Sequence, residues 1–267
     1  MKKIVFFDLD GTLLTSKKEI LQENIEAIKK ARNNGIEICI CSGRPITAAK
    51  KYKEMSGAGR YIISTNGAEI FDTEENEELF SVSLEQQFCI NLYEYAVKNN
   101  LFMRIDTKYG RYVNIERYKI LDDMLFQEDY KKFFKGNNIL QFSIGSRDSK
   151  IIDEIVKEIK QDCNISIANR FASGMLPDEL DIINIVNSCA SKGNAILGLC
   201  KYLKIPQKDS IGFGDDYNDI SMMNSVGYGV AMGNSFDEVK AVAKEIITTN
   251  DEPGIAKFLN NLISEIN

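Results

Sequence analysis

The 267-residue chain contains no histidine. That absence excludes Ser-His-Asp and Cys-His nucleophilic catalysis, histidine-ligated zinc and histidine phosphotransfer, because each needs an imidazole as base, ligand or acceptor. Acid and base chemistry near neutral pH is left to carboxylates, lysine or metal-bound water. Also missing is any run of the roughly 20 apolar residues that a membrane-spanning helix requires. Lys2 and Lys3 precede an apolar stretch too short for a secretory signal and ending in acids, so a cytoplasmic protein is expected. The six cysteines (Cys39, Cys41, Cys89, Cys163, Cys189, Cys200) form no Cys-x-x-Cys pair, and reduced, mostly buried thiols are expected of them. No internal repeat or low-complexity segment is present.

What is present is the composition of an ordinary water-soluble protein, with 44% hydrophobic and 27% charged residues. The length accommodates one large α/β domain or two smaller ones. A net charge of -6 argues against nucleic acid or an anionic membrane as partner, since both select a basic face. It leaves small phosphorylated molecules open, because a local positive site fits in an acidic protein. No protein partner is implied.

The stretch from Val5 to Leu13 organises the rest. Ile4 to Phe7 is an unbroken run of β-branched and aromatic residues, the pattern of a strand buried on both faces of a parallel sheet. It stops on Asp8 and Asp10, and Gly11 then allows a tight turn. The two acids therefore sit at the carboxyl end of a strand, where open α/β sheets bind their ligands. Carboxylates this close repel unless a cation or shared proton offsets them, and Mg²⁺ prefers carboxylate and carbonyl oxygen together with substrate phosphate. The competing reading is an Asp-rich turn that caps the strand.

Helical spacing over Leu21 to Asn34, closed by Gly35, leads to a second strand over Ile36 to Cys41, completing a right-handed β-α-β unit. It ends in Ser42-Gly43-Arg44-Pro45, a phosphate cradle of side-chain and backbone donors, with Ser42 as helix N-cap the alternative and Arg44 reaching either substrate or the rim. Tyr61 to Thr65 and Ala68 to Phe71 form a hairpin around Asn66-Gly67, and the acidic run from Asp72 to Glu78 is expected as a solvated loop. From Ser83, where Ser83-x-x-Gln86 resembles a capping box opening a helix to Asn99, an α+β insert begins. Its strands are expected at 101–105, 112–115, 140–144, 165–168 and 180–186, with helices over Tyr118 to Lys135 and Ser149 to Gln161, forming an antiparallel sheet with helices on one face. Arg104 and the Arg170 to Asp178 loop could reach a substrate, although an exposed strand charge and a surface turn explain them too. The doubly wound pattern returns with a helix over Ser191 to Leu203, a strand over Ser210 to Phe213, a last short strand over Gly229 to Met232, Ser235 as cap of a helix to Ala243, and an amphipathic helix over Asp251 to Ile266. The fold class is thus α/β, a Rossmann-like doubly wound core over 1–82 and 188–267, with an α+β insert over 83–187.

Asp215, Asp216 and Asp219 follow the Ser210 to Phe213 strand, so a second acidic cluster meets a strand end. If that strand neighbours the first, Asp8 and Asp215 can share one octahedral Mg²⁺. An acidic helix start favoured by the macrodipole accounts for one or two of these acids but poorly for three. Lys192, mildly misplaced in a first helical turn, gains a reason if it faces a phosphoryl group.

In this order, the Asp8-Leu9-Asp10-Gly11-Thr12 loop, Ser42, Lys192 and Gly214-Asp215-x-x-Asn218-Asp219 resemble the four motifs of the haloacid dehalogenase superfamily. The insert between the second and third motifs resembles the type IIB cap of the Cof-like subfamily, as do the stretches Thr65-Asn66-Gly67-Ala68 and Ala231-Met232-Gly233-Asn234. The resemblance implies that Asp8 is the nucleophile and a Mg²⁺ ligand, and that Asp10 is the acid/base and a ligand through its carbonyl. It further implies that Asp215 binds the metal directly and that Asp219 orients the metal's waters. Leu9, Thr12, Ser42, Gly43, Arg44, Lys192 and Asn218 would bind the phosphoryl group, Asn218 alternatively holding Lys192. Asn187 to Ser191 departs from the Gly-Val pair often found before the lysine, and Ser235 replaces a usual alanine. The implied activity is a Mg²⁺-dependent phosphatase of a small phosphorylated metabolite, such as a sugar phosphate, pyridoxal phosphate or nucleotide, working through an aspartyl-phosphate. A phosphosugar mutase and a non-catalytic metabolite binder are the alternatives.

Overall fold

The computed structural model describes residues 3–115, 124–126, 130–173 and 178–266. The chain opens with β1 (Ile4–Phe7), α1 (Gln22–Asn33), β2 (Glu37–Cys41), α2 (Ile46–Ser56), β3 (Tyr61–Ser64), β4 (Glu69–Asp72) and β5 (Glu77–Ser81). The middle holds α3 (Gln86–Lys98), β6 (Phe102–Thr107), β7 (Gly110–Val113), β8 (Met124–Phe126), α4 (Tyr130–Gly136), β9 (Gln141–Ser146), α5 (Ser149–Ile159), β10 (Ile165–Ala172) and β11 (Asp181–Asn187). It closes with α6 (Lys192–Leu203), β12 (Ser210–Gly214), α7 (Ile220–Ser225), β13 (Tyr228–Ala231), α8 (Asp237–Val242), β14 (Glu245–Ile246) and α9 (Gly254–Ile266). Two compact units result, Met1–Phe80 with Ser191–Asn267, and Ser81–Ala190.

The first unit is built on one sheet of order β14-β13-β12-β1-β2-β3-β4-β5, parallel from β14 to β3. The strand that runs into Asp8 and the strand that runs into Asp215 are hydrogen-bonded neighbours, with Phe7 beside Phe213. β1 carries no polar residue because both of its faces are covered: Val5 and Phe7 join one apolar cluster, Ile4 and Phe6 another. Phe213 has its ring 4.8 Å from Phe7 and 5.1 Å from Phe258 of α9, which ties the strand below the site to the closing helix.

The second unit is a sheet of order β10-β11-β9-β6-β7-β8, antiparallel except for the β7–β8 pair. Met103, Ile105, Phe142, Ile144, Ile183 and Ile185 point to the side where the helices supply Leu92, Phe134 and Ile155. By strand alternation, Arg104, Asp106, Ser143, Gln141 and Asn184 face the other way. They bond across the strands, Ser143 Oγ and Gln141 Nε2 donating to Asn184 Oδ1 (2.6 Å) and Asp106 Oδ2 (2.8 Å). Arg104 is therefore no exposed strand charge: it lies against Asn184 and Asp106 with its side chain 12% accessible.

Several local expectations are corrected. Ser83 is not the cap of α3, which starts after Glu85 without a side-chain bond. Ser235 does not cap α8 either, because its hydroxyl donates to the Gly214 carbonyl and Phe236 takes the cap position. Met124–Phe126 is a strand inside the expected long helix, of which Tyr130–Gly136 remains, and 118–123 lie outside the described residues. Asp72 is buried and bound to Arg60, and Glu77 and Glu78 belong to a strand, so the acidic run is only partly loop. The expected Arg170 loop is strand through Ala172, with Arg170 paired to Asp181 and Asp153, while Gly174 and Pro177 lie outside the described residues. β14 follows the strand expected to be last. None of the six cysteines is in a disulfide, and Cys163 and Cys189 are exposed. Among the described residues no helix is long and apolar enough to cross a membrane.

Removing the Phe213 ring empties a fully buried space between β1 and α9. Phe213→Ala should cost about 3–5 kcal/mol in urea unfolding; a loss below about 1 kcal/mol would show that the aromatic contact does not anchor the sheet.

Candidate active site

The two strand ends deliver their acids to one place. One carboxylate oxygen from each of Asp8, Asp215 and Asp219 lies within 4.8 Å of the others. Asp8 follows β1 directly, and its N–H still bonds the Phe213 carbonyl at 3.0 Å, so the strand ladder aims it. Asp215 follows β12 and accepts the Thr12 hydroxyl at 2.6 Å. Asp219 ends a short 3₁₀ turn and receives the N–H groups of Asp215 and Asp216 on Oδ2, at 2.9 and 3.0 Å, which fixes the loop around it. Gly11, at φ 87°, gives Asp215 its room: a Cβ there would lie 2.2 Å from Asp215 Oδ2.

One cation faces these acids from within. Lys192 opens α6 beside the Ser191 cap and is buried, with Nζ 2.6 Å from Asp8 Oδ1 and 2.5 Å from Asp219 Oδ1. Its place at a helix start, unfavourable to a cation in isolation, is offset by two carboxylates at contact distance. Burial lowers the affinity of its amine for a proton, but Asp219 and Asp8 outweigh that and hold it charged. Burial pushes the Asp8 carboxyl well above the usual range, with Asp219 and Asp215 adding to it and Lys192 opposing. Asp215 is pushed up to about 7, by burial first and then by Asp219, with Thr12 and Lys192 pulling the other way.

Three carboxylates against one ammonium leave an excess of buried negative charge. The donors are all oxygen, two of the acids come from adjoining strand tips, and Asp8 and Asp215 would both gain from a cation that favours their ionised forms. The set fits a hard divalent ion held by Asp8 and Asp215, with Asp219 engaged by Lys192 and backbone and thus suited to an outer role.

Asp10 sits differently. Its carboxylate accepts Nε and Nη2 of Arg44 at 2.7 and 2.8 Å and Nζ of Lys18 at 2.7 Å. Burial works against ionisation, yet the Arg44 and then the Lys18 contacts outweigh it and hold the carboxyl below the ordinary carboxylate range. Arg44 therefore meets Asp10 in this structure. Ser42 is buried and its Oγ accepts the Arg44 N–H at 3.2 Å, and since α2 is capped by Pro45, the N-cap reading of Ser42 falls away. Gly43 lies between them. The Thr12 hydroxyl donates to Asp215 and so supports that acid. The Leu9 side chain is core, which leaves it only backbone for a ligand. Asn218 does not hold Lys192: its Nδ2 donates to Asn66 Oδ1 at 2.9 Å, while its own Oδ1 is buried without a partner.

Sequence reasoning missed Lys18, Asn66 and Asn234 as members of this neighbourhood. Asn234 Nδ2 donates to the Gly11 carbonyl at 2.8 Å, steadying the first loop from a distant one. Asn66 and Asn234 lie in stretches singled out for their family resemblance, and Asn66 is also explained as part of a hairpin turn. Lys18 carried no signal, since a surface lysine eight residues from an acid is ordinary.

A parallel sheet with acids from adjoining strand ends, opposed by a buried lysine, defines a hydrolase core of the α/β class. Residues 5–259 match the haloacid dehalogenase-like hydrolase family, and the chain belongs to that family. It is 27% identical to the phosphatase YwpJ of Bacillus subtilis, over 98% of this chain and 100% of the relative. It is 25% identical to the 5-amino-6-(5-phospho-D-ribitylamino)uracil phosphatase YcsE of the same organism, over 98% and 96%. A haloacid dehalogenase-like hydrolase of Bacteroides thetaiotaomicron shares the fold with a TM-score of 0.84 and 27% identity, over 98% and 100% of the two chains.

The raised Asp215 carboxyl makes a signed prediction. In metal-free protein its protonated form favours the folded state, a contribution present below the ordinary value of 3.8 and lost as pH rises through about 7. The melting temperature in EDTA should fall from about pH 5 to about pH 8, and the rise produced by Mg²⁺ should grow over the same interval. A Mg²⁺ effect that is absent or shrinks with pH would contradict the assignment of the acids as ligands.

Proposed function

We propose that this protein is a phosphatase of small phosphorylated metabolites that depends on a divalent ion, Mg²⁺ by preference, and works through an aspartyl-phosphate on Asp8. The observation that carries the reading is the convergence of Asp8, Asp215 and Asp219, with buried Lys192 bound to the first and the last. A purely structural cluster would not need two acids whose carboxyls are pushed up by burial and mutual repulsion.

In this reading an Asp8 carboxylate oxygen attacks phosphorus in line with the ester oxygen, and the P–O bond to the leaving alcohol breaks. Lys192 and the Ser42 hydroxyl hold the non-bridging oxygens, where charge accumulates. Asp10 gives a proton to the leaving oxygen, then takes one from the water that hydrolyses the aspartyl-phosphate, so that Asp8 is restored and inorganic phosphate leaves. Held by Arg44 and Lys18, Asp10 is a base; to act as the acid it must first leave those cations. Mg²⁺, bound by Asp8, Asp215 and the Asp10 carbonyl, would neutralise phosphoryl charge.

The substrate class is supported less directly. YcsE is named for a phosphorylated ribityl-uracil. We read the second unit as a cap and place substrate choice in it.

Asp8→Asn should lower p-nitrophenyl phosphate turnover by at least about a thousandfold, and EDTA should stop the wild-type reaction until Mg²⁺ is returned. Substantial turnover by Asp8→Asn, or turnover indifferent to EDTA, would overturn the mechanism.

A further inference from the structure

Three consecutive residues beside the site, Thr65, Asn66 and Gly67, have left-handed backbone angles, φ 51°, 58° and 92°. Glycine and, to a lesser degree, asparagine adopt such angles, but a β-branched threonine there is a genuine outlier. The Thr65 hydroxyl is buried without a hydrogen-bond partner. Hairpin turn chemistry accounts for positive φ at Asn66 and Gly67 but not at Thr65, so something in the surroundings holds that residue.

What the loop touches supplies the reason. The Thr65 N–H donates to the Arg44 carbonyl at 2.9 Å and the Asn66 N–H to the Ser42 carbonyl at 3.1 Å, so two backbone bonds pin the loop that carries Ser42. Asn66 Oδ1 accepts Nδ2 of Asn218 at 2.9 Å, reaching the acidic loop after β12. Gly67 packs on the start of α6 so closely that a Cβ would lie 2.1 Å from the Ser191 carbonyl and 3.0 Å from the Lys192 nitrogen. The Asn66 amide also fills the space beside Gly43, where a Cβ would lie 3.0 Å from Asn66 Oδ1. A single strained loop thus touches the elements bearing Ser42, Lys192 and Asn218, three groups that arrive from far-apart parts of the chain.

We propose that Thr65-Asn66-Gly67 is the positioning element of the site, with Asn66 setting the Ser42 loop and the Asn218 amide in register for the phosphoryl group. The inference rests on the phosphatase reading above. Asn66 is a positioning residue: it acts through Asn218 and the Ser42 carbonyl. Fixing the Asn218 amide through Nδ2 also leaves its unpartnered Oδ1 in one orientation, which a freely turning amide would not keep.

The test is a kinetic cycle of Asn66→Gly, Asn218→Ala and the double variant on p-nitrophenyl phosphate with Mg²⁺, alongside thermal melts. Glycine keeps the left-handed backbone and removes only the amide, so the melting temperature should stay within a few degrees of wild type while kcat falls by about 10–100-fold and KM changes by less than about threefold. In the Asn218→Ala background the same change should cost at least about threefold less than in wild type, because the Asn66–Asn218 bond is already gone. An equal loss in both backgrounds, or a kcat within about twofold of wild type, would overturn the proposal. If Asn66→Gly does not fold, Asn218→Ala alone reads the same bond, and a loss below about twofold there overturns it. Wild-type protein that releases no phosphate would instead overturn the phosphatase reading, and this inference with it.

Discussion

Three carboxylates share one ammonium. Asp8 and Asp219 are buried and Asp215 half-buried where they converge, and Lys192 touches only two of the three. Like charges in low dielectric raise one another's proton affinity, and the Asp8 and Asp215 carboxyls record it. Without a further cation the cluster is satisfied only by taking up protons. This standing demand for positive charge makes the strand ends a site, and the rest of the core unit serves to hold it.

The sheet provides the convergence at little cost. β1 and β12 are parallel neighbours in register, so acids placed just beyond Phe7 and Phe213 arrive side by side without special loops. The rings of those two residues lock the strands one step below Asp8 and two below Asp215, and α9 covers them through Phe258. Further support comes from smaller contacts: Gly11 makes space for Asp215, Thr12 orients it, and the 3₁₀ turn after Asp215 wraps two N–H groups around Asp219. Asp10 stands apart, its charge met by Arg44 and Lys18, so the two acids of the first motif occupy opposite electrostatic surroundings two residues from each other. In this state the divergence runs opposite to the proposed roles, Asp8 favouring its proton and Asp10 its charge, so those roles require a cation at Asp8 and the release of Asp10 from Arg44 and Lys18.

Much of this was legible in the sequence because strands buried on both faces read as continuous apolar runs, and the acids follow two such runs directly. The β-α-β opening, the insert and the return of the doubly wound pattern were readable for the same reason. What escaped were features set by tertiary contact. Ser83 and Ser235 have the side chains of helix caps, but one is passed over and the other bonds a carbonyl across the fold. Asp72 lies in an acidic run whose local pattern suggests solvent, yet Arg60 draws it inside. Asn66-Gly67 is a hairpin signal that also hides the strained contact between three loops, and no local rule distinguishes an asparagine that merely turns the chain from one that holds a partner 152 positions away.

The central claim, that Asp8 and Asp215 bind one divalent ion between them, is most directly tested by anomalous diffraction from crystals soaked in Mn²⁺, a stand-in for Mg²⁺ that accepts the same oxygen donors. The account predicts a single strong peak bridging the carboxylates of Asp8 and Asp215. No peak between those strand tips, or a well-occupied one elsewhere with that position empty, would contradict it.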